Sequence, residues 1–201
     1  MMNSWRDRFS SMSGKTRIVV CHLLIHLTGD EVAPLLGVLN RAARQAIEAE
    51  GDLNALGEGL VEICQSLMQY DTYWQSAANE GDVFFDEGEA GDYVTELFTD
   101  SAQRYGSSLE ADELDEPDAA FSLPMTQHVV VMITIACEGD APALETDLAS
   151  VSALTAGLKA IMNLHYQGRL RAVQVHFSPA QVGDELTSDE LLMHYPELVP
   201  L

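Results

Sequence analysis

The sequence predicts an α+β protein, a two-layer sandwich in which a small mixed sheet packs against helices. Three observations carry that expectation. Three apolar, β-branched segments read as main strands (Arg17–Leu27, Gln127–Gly139 and Leu170–Phe177). Between and around them, apolar residues recur at helical spacing. Finally, two long helical stretches separate the first strand from the second, which argues against a regular alternation of strand and helix in a parallel sheet.

The first strand, RIVVCHLLIHL, is apolar on both of its faces and is broken by Thr28, Gly29 and Asp30. A helix follows over 30–50, where Val32, Leu35, Leu36, Leu39, Ala43 and Ile47 form one stripe. Pro34 falls in its first turn, where a missing N–H costs little, and Gly51 ends it. Asp52 is placed to cap the next helix, whose stripe is Leu56, Leu60, Ile63, Cys64 and Leu67 and which fades into YDTYWQS. From Glu80 to Asp118 there are 14 acidic residues and one basic residue, Arg104. Tyr93, Val94, Leu97, Phe98 and Tyr105 predict a helix over about 90–105 within it. The rest, near 106–124, reads as an acidic, partly disordered insertion because its charges repel one another.

QHVVVMITIACEG is the strongest strand signal, ended by Gly139 and Pro142. An amphipathic helix from Leu144 to Gly168 leads to the third strand, LRAVQVHF. That helical crossover predicts that the second and third strands, if adjacent, run parallel. Thr187 to Glu190 is a capping box opening a short helix that Pro196 stops. One domain over 15–201, after a flexible 1–14, fits a chain of 201 residues.

Composition narrows the function classes. With 32 acidic against 10 basic side chains the net charge is −22, a surface that repels phosphate backbones and anionic headgroups, so nucleic acid is not an expected partner. No run of eighteen apolar residues and no signal-peptide pattern occurs, which predicts a cytoplasmic protein without direct membrane insertion. Cys21, Cys64 and Cys137 are far apart and set in apolar surroundings, as inert core thiols of a reducing compartment. There is no GxSxG, P-loop, GxGxxG or HExxH pattern, so the expectation is a protein without enzymatic activity, catalytic residues or cofactors.

The strand phases point to the remaining candidates. Odd-numbered positions are cleanly apolar and should meet the helices, whereas the even-numbered face carries His22, His26, His128 and His176 among Val130, Met132 and other apolar residues. Two readings compete. Imidazoles on neighbouring strands can ligate a transition metal, making His22, His128 and His176 the candidate ligands of a small-ligand or metal-binding domain. His22 and His26 lie roughly 13 Å apart along one strand at ~3.3 Å per residue, so those two cannot share an ion. Alternatively, histidine simply tolerates a half-covered sheet face. A face so apolar needs a cover, which the sequence offers in three forms: a second copy, the Tyr70–Phe85 region, or a C-terminal clasp of Leu191, Leu192, Tyr195, Leu198, Val199 and Leu201. The favoured function is therefore a protein-interaction or assembly module, expected to be a homodimer, with Tyr73, Trp74, Val130, Met132 and Tyr195 as candidate interaction residues.

The C-terminal third also carries a resemblance. Glu138–Gly139, then Phe177–Ser178–Pro179, then Glu190, Leu191, Leu192, Tyr195, Pro196, Leu198, Pro200 and Leu201, with Tyr73–Trp74 upstream, resemble the motifs of the domain-of-unknown-function family 1517 of cyanobacteria and chloroplasts. The resemblance implies an accessory role in photosynthetic acclimation and no established activity or cofactor. It marks fold-defining positions rather than catalytic ones.

Overall fold

The computed structural model describes residues 16–29, 31–112, 126–180 and 184–201, with the side chains of 105–112 left aside. A single five-stranded antiparallel sheet organises them. Its strands are β1 (Ile18–Thr28), β2 (Trp74–Phe84), β3 (His128–Glu138), β4 (Leu170–Ser178) and β5 (Val199–Pro200), and the order across the sheet is β4-β3-β1-β2-β5. The helices are α1 (Ala33–Glu48), α2 (Leu53–Gln69), α3 (Glu87–Asp112), α4 (Val151–Tyr166) and α5 (Ser188–His194).

The α+β class holds, but the sheet has five strands rather than three main ones. β2 is the missed long strand. Its sequence, WQSAANEGDVF, is small and polar, so it lacks the β-branched run that betrays β1 and β3. It forms because β1 offers it a full ladder, from Ile18 opposite Phe84 to Leu27 opposite Trp74. β5, two residues long, pairs with β2 at Ser76 and Ala77.

The expected parallel pairing of the second and third sequence strands is also corrected: β3 and β4 are adjacent and antiparallel. The helix between them is only half of the connection. From Gly139 the loop crosses towards β2, where the Asn79 amide donates to Thr146 O at 3.0 Å and its oxygen accepts from Leu148 N at 2.8 Å. Helix α4 then returns the chain, so that Leu170 starts β4 beside Cys137. Two opposed legs cancel, and the strand re-enters antiparallel.

The helix ends follow the local chemistry. Asp52 accepts from Ala55 N at 2.8 Å to cap α2, Ser150 accepts from Ala153 N to cap α4, and Thr187 and Glu190 complete the reciprocal box at α5. Gly57 on α2 is required by a close approach, since a Cβ there would lie 2.1 Å from His165 Nδ1 of α4. α3 continues to Asp112, seven residues past the end expected from the apolar stripe. The remainder of the acidic insertion and the expected flexible N-terminus lie outside the described residues.

Both faces of the sheet are covered. The odd-numbered residues Val19, Leu23, Ile25, Val131, Ile133 and Ile135 meet α1, α2 and α4 in the main core. Burying a large aliphatic side chain of this kind contributes roughly 1.5–3 kcal/mol. The even-numbered face is covered by α3 at one end and the C-terminal segment at the other. Ile18, Val20 and Ala136 pack with Ala90, Val94 and Leu97 of α3. Leu24, Val130 and Met132 pack with Leu186 and Tyr195, flanked by Leu191 and Leu198. The clasp expectation therefore holds for Leu191, Tyr195 and Leu198, and Leu201 reaches the main core. It fails for Leu192 and Val199, which are 72% and 51% exposed because α5 and β5 turn those positions outward.

Candidate functional site

The histidines of the even face do not form one site. Strand register puts His22 opposite Thr134, His26 opposite Ser76 on β2, His128 opposite Thr28, and His176 opposite Met132. His22 is buried and its Nδ1 is bonded to Thr134 Oγ1 at 2.8 Å. Burial pushes its imidazole down to about 4, with the Arg104 guanidinium adding to the effect and Asp100 opposing it. His26 bonds Ser76 Oγ through Nδ1 and His128 Nδ1 through Nε2, both at 3.0 Å, with the two rings stacked. Burial, reinforced by His128, holds His26 down to about 4 as well. A neutral His26 fits this chain, with Ser76 donating to His26 Nδ1 and His26 Nε2–H donating to His128 Nδ1. Burial also lowers His176, whose ring lies 5.1 Å from that of Phe98.

The metal candidates His22, His128 and His176 are thus dispersed along the sheet, and among the described residues no three His, Cys, Asp or Glu side chains converge as a ligand set. His22 and His26 are buried, hydrogen-bonded core groups, His128 is half-buried against His26, and His176 is half-buried beside Phe98. The three cysteines are buried, and desolvation pushes Cys21 and Cys64 up to about 12 and Cys137 up to about 11, so their thiols stay protonated and unreactive.

Most of the expected interaction residues are interior: Val130 and Met132 lie under the C-terminal segment, of which Tyr195 is the buried plug, and Trp74 is buried in the main core on the opposite face. Tyr73 is half-buried, with its hydroxyl donating to Glu31 Oε2 at 2.8 Å. Arg104 fastens the cover. It ion-pairs with Asp100 at 2.8 Å and with Glu197, donates to His194 O at 3.0 Å, and lies over the Tyr195 ring at 5.8 Å, joining α3 to the C-terminal segment.

What the fold leaves open is the outer edge of β4. A groove of about 200 Å³ runs along it. Residues Val173–Phe177 form the floor, small and apolar residues of α1 and α2, among them Ala43, Ala46 and Gly59, form one wall, and Phe98 of α3 stands on the other side. None of the lining residues is charged. Ala172–Phe177 are half-buried, and Phe98 is 42% exposed. Among the described residues only β3 pairs with β4, on one side of its backbone, so alternate N–H and C=O groups face the groove. Sequence reasoning found strand β4 and its apolar residues, but being last in a sheet is a property of pairing that no residue in the strand announces.

The family model described as "Protein of unknown function (DUF1517)" matches residues 17–201. The chain belongs to the DUF1517 family. No curated protein and no solved structure is matched by the chain. In this DUF1517 member the motif residues serve the fold. Gly139 turns the chain after β3 with φ 81°, the Ser178–Pro179 peptide is cis after β4, and Tyr195 plugs the even face. No described helix is long and apolar enough to cross a membrane.

Proposed function

We propose that the protein is a non-enzymatic interaction or assembly module that docks a partner strand along the edge of β4. The observation that supports this reading is the uncharged groove itself, a backbone edge flanked by apolar helix walls in a chain of net charge −22. Strand addition at such an edge draws affinity from main-chain hydrogen bonds and specificity from the side chains on either wall. The metal reading has no comparable support, since among the described residues no three His, Cys, Asp or Glu side chains converge. We further propose, on the sequence resemblance alone, an accessory part in photosynthetic acclimation.

A photo-crosslinking residue in place of Phe98 tests the reading in cells. The expected result is a discrete protein adduct that disappears when Ala43→Glu places a charge on the opposite wall. Ala43 is exposed on α1, and glutamate is a good helix former, so this change leaves the fold intact. No adduct, or one indifferent to Ala43→Glu, overturns the proposal.

A further inference from the structure

We infer that the occupant of the β4 edge is a second copy of the same chain, paired β4 to β4 antiparallel about a twofold axis at Gln174. The inference rests on the interaction reading above and adds the partner and the register. It starts from a contrast between the two edges of the sheet. The β2 edge is protected: β5 covers Ser76 and Ala77, and beyond them the strand carries Glu80 and Asp82 beside a cleft also lined by Glu145 and Asp147. Short partner strands and charged residues are the usual means of stopping edge-to-edge association. β4 has neither. From Ala172 to Phe177 it contains no charge and no proline, although 42 of the 201 residues are charged (32 acidic plus 10 basic).

The strand is also its own complement. Gln174 is the central residue of Leu170–Ser178, and the regular stretch Ala172–His176, past the bulge at Arg171, is symmetric about it. Such an axis places Gln174 against Gln174 of the other copy, Val173 against Val175, and Ala172 against His176. The pairs are two amides, two β-branched residues, and a small residue facing an imidazole. No like charges meet, and cross-strand pairs of these kinds stabilise antiparallel ladders. The small residues on the α1–α2 wall let the helices of the two copies approach, and the two sheets become one continuous sheet.

Charge selects this partner over a foreign basic one. A cationic segment would be drawn to the carboxylates along β2, whereas two copies of an acidic chain need a neutral contact. Their mutual repulsion is screened beyond about 8 Å at physiological ionic strength. Self-association of this kind tightens as salt rises, and capture of a basic partner weakens.

Sedimentation and disulfide trapping test the inference on the full chain. At tens of micromolar the protein is expected to sediment at twice its 22.0 kDa chain mass, with tighter association at 0.5 M than at 0.05 M salt. Ala43→Glu is expected to weaken association at least tenfold. Gln174→Cys is expected to cross-link the two copies under mild oxidation, because paired residues on adjacent strands have Cα atoms about 4.5–5.5 Å apart, within disulfide reach. Ala172→Cys should not cross-link to itself, since this register sets the two copies of that residue about 13 Å apart. It should cross-link when mixed with His176→Cys. A dimer that Gln174→Cys does not trap overturns the register and the inference with it. A monomer throughout overturns the second copy as occupant; if the Phe98 photo-adduct still forms with another protein, the interaction reading stands, and if no adduct forms, both fall.

Discussion

A chain ending at Ser188 is expected to lose its cooperative thermal transition or to melt at least 10 °C below the full-length protein. The truncation removes Leu191, Tyr195 and Leu198 from over Leu24, Val130 and Met132, and removes the β5 ladder with β2. Full burial of Tyr195 at roughly 1.5–3 kcal/mol, with the partial burial of Leu191 and Leu198, is a large fraction of the whole stability of an ordinary domain, about 5–15 kcal/mol. Arg104 also loses Glu197 and the His194 carbonyl, which leaves a guanidinium above a stripped apolar surface. Exposed apolar sheet should bind a hydrophobic dye. A truncated protein that melts with the full-length chain and binds no dye would show that the clasp contributes nothing.

The second large effect is a pH dependence carried by His22 and His26. Both are held near 4 in the folded protein, below the ordinary histidine value of 6.5. As pH falls from about 6.5 towards 4 the unfolded chain binds protons that the folded chain refuses, so the stability these histidines contribute is complete above that range and lost across it. A displacement of this size corresponds to about 3 kcal/mol per histidine. Protonation of the many carboxylates relieves repulsion over the same range and acts in the opposite direction. The clean measurement is therefore a difference. The unfolding free energies of the native chain and of a His22→Gln, His26→Gln double variant should differ most at pH 8, and the gap should narrow by a few kcal/mol by pH 4.5. A gap constant with pH would mean that the two imidazoles titrate normally in the folded state.

Much of this architecture is legible in the residues themselves, and what is not legible has a common cause. β1, β3 and the stripes of α1, α2 and α4 announce themselves because each buries a large, regular apolar face. The phase of the strands separates the odd core from the histidine-bearing face before any coordinates are known. Leu191 and Tyr195 stand out as a cover because a sheet apolar on both sides needs one. β2 and β5 stay hidden because their partners, not their side chains, make them strands. The direction of β4 stays hidden because the loop over Gly139–Ser150 carries half of a connection that looks like a single helix. The same limit applies to function. Four histidines on one face of a sheet look like a ligand set until register leaves only His26 and His128 in contact, and an edge strand looks like any other strand until the order β4-β3-β1-β2-β5 puts it last.

Hydrogen exchange, followed peptide by peptide as protein concentration is raised, bears most directly on the claim that function resides at the β4 edge and not on the buried histidine face. Amides of β1 and β3, bonded on both sides within the chain, should be protected at every concentration. At sub-micromolar concentration roughly half of the amides in Leu170–Ser178 should exchange fast, those that β3 leaves unpaired. They should become protected at tens of micromolar, and Ala43→Glu should abolish that gain. Uptake in Leu170–Ser178 that is the same at all concentrations, or protection that appears instead in His22–His26, would contradict it.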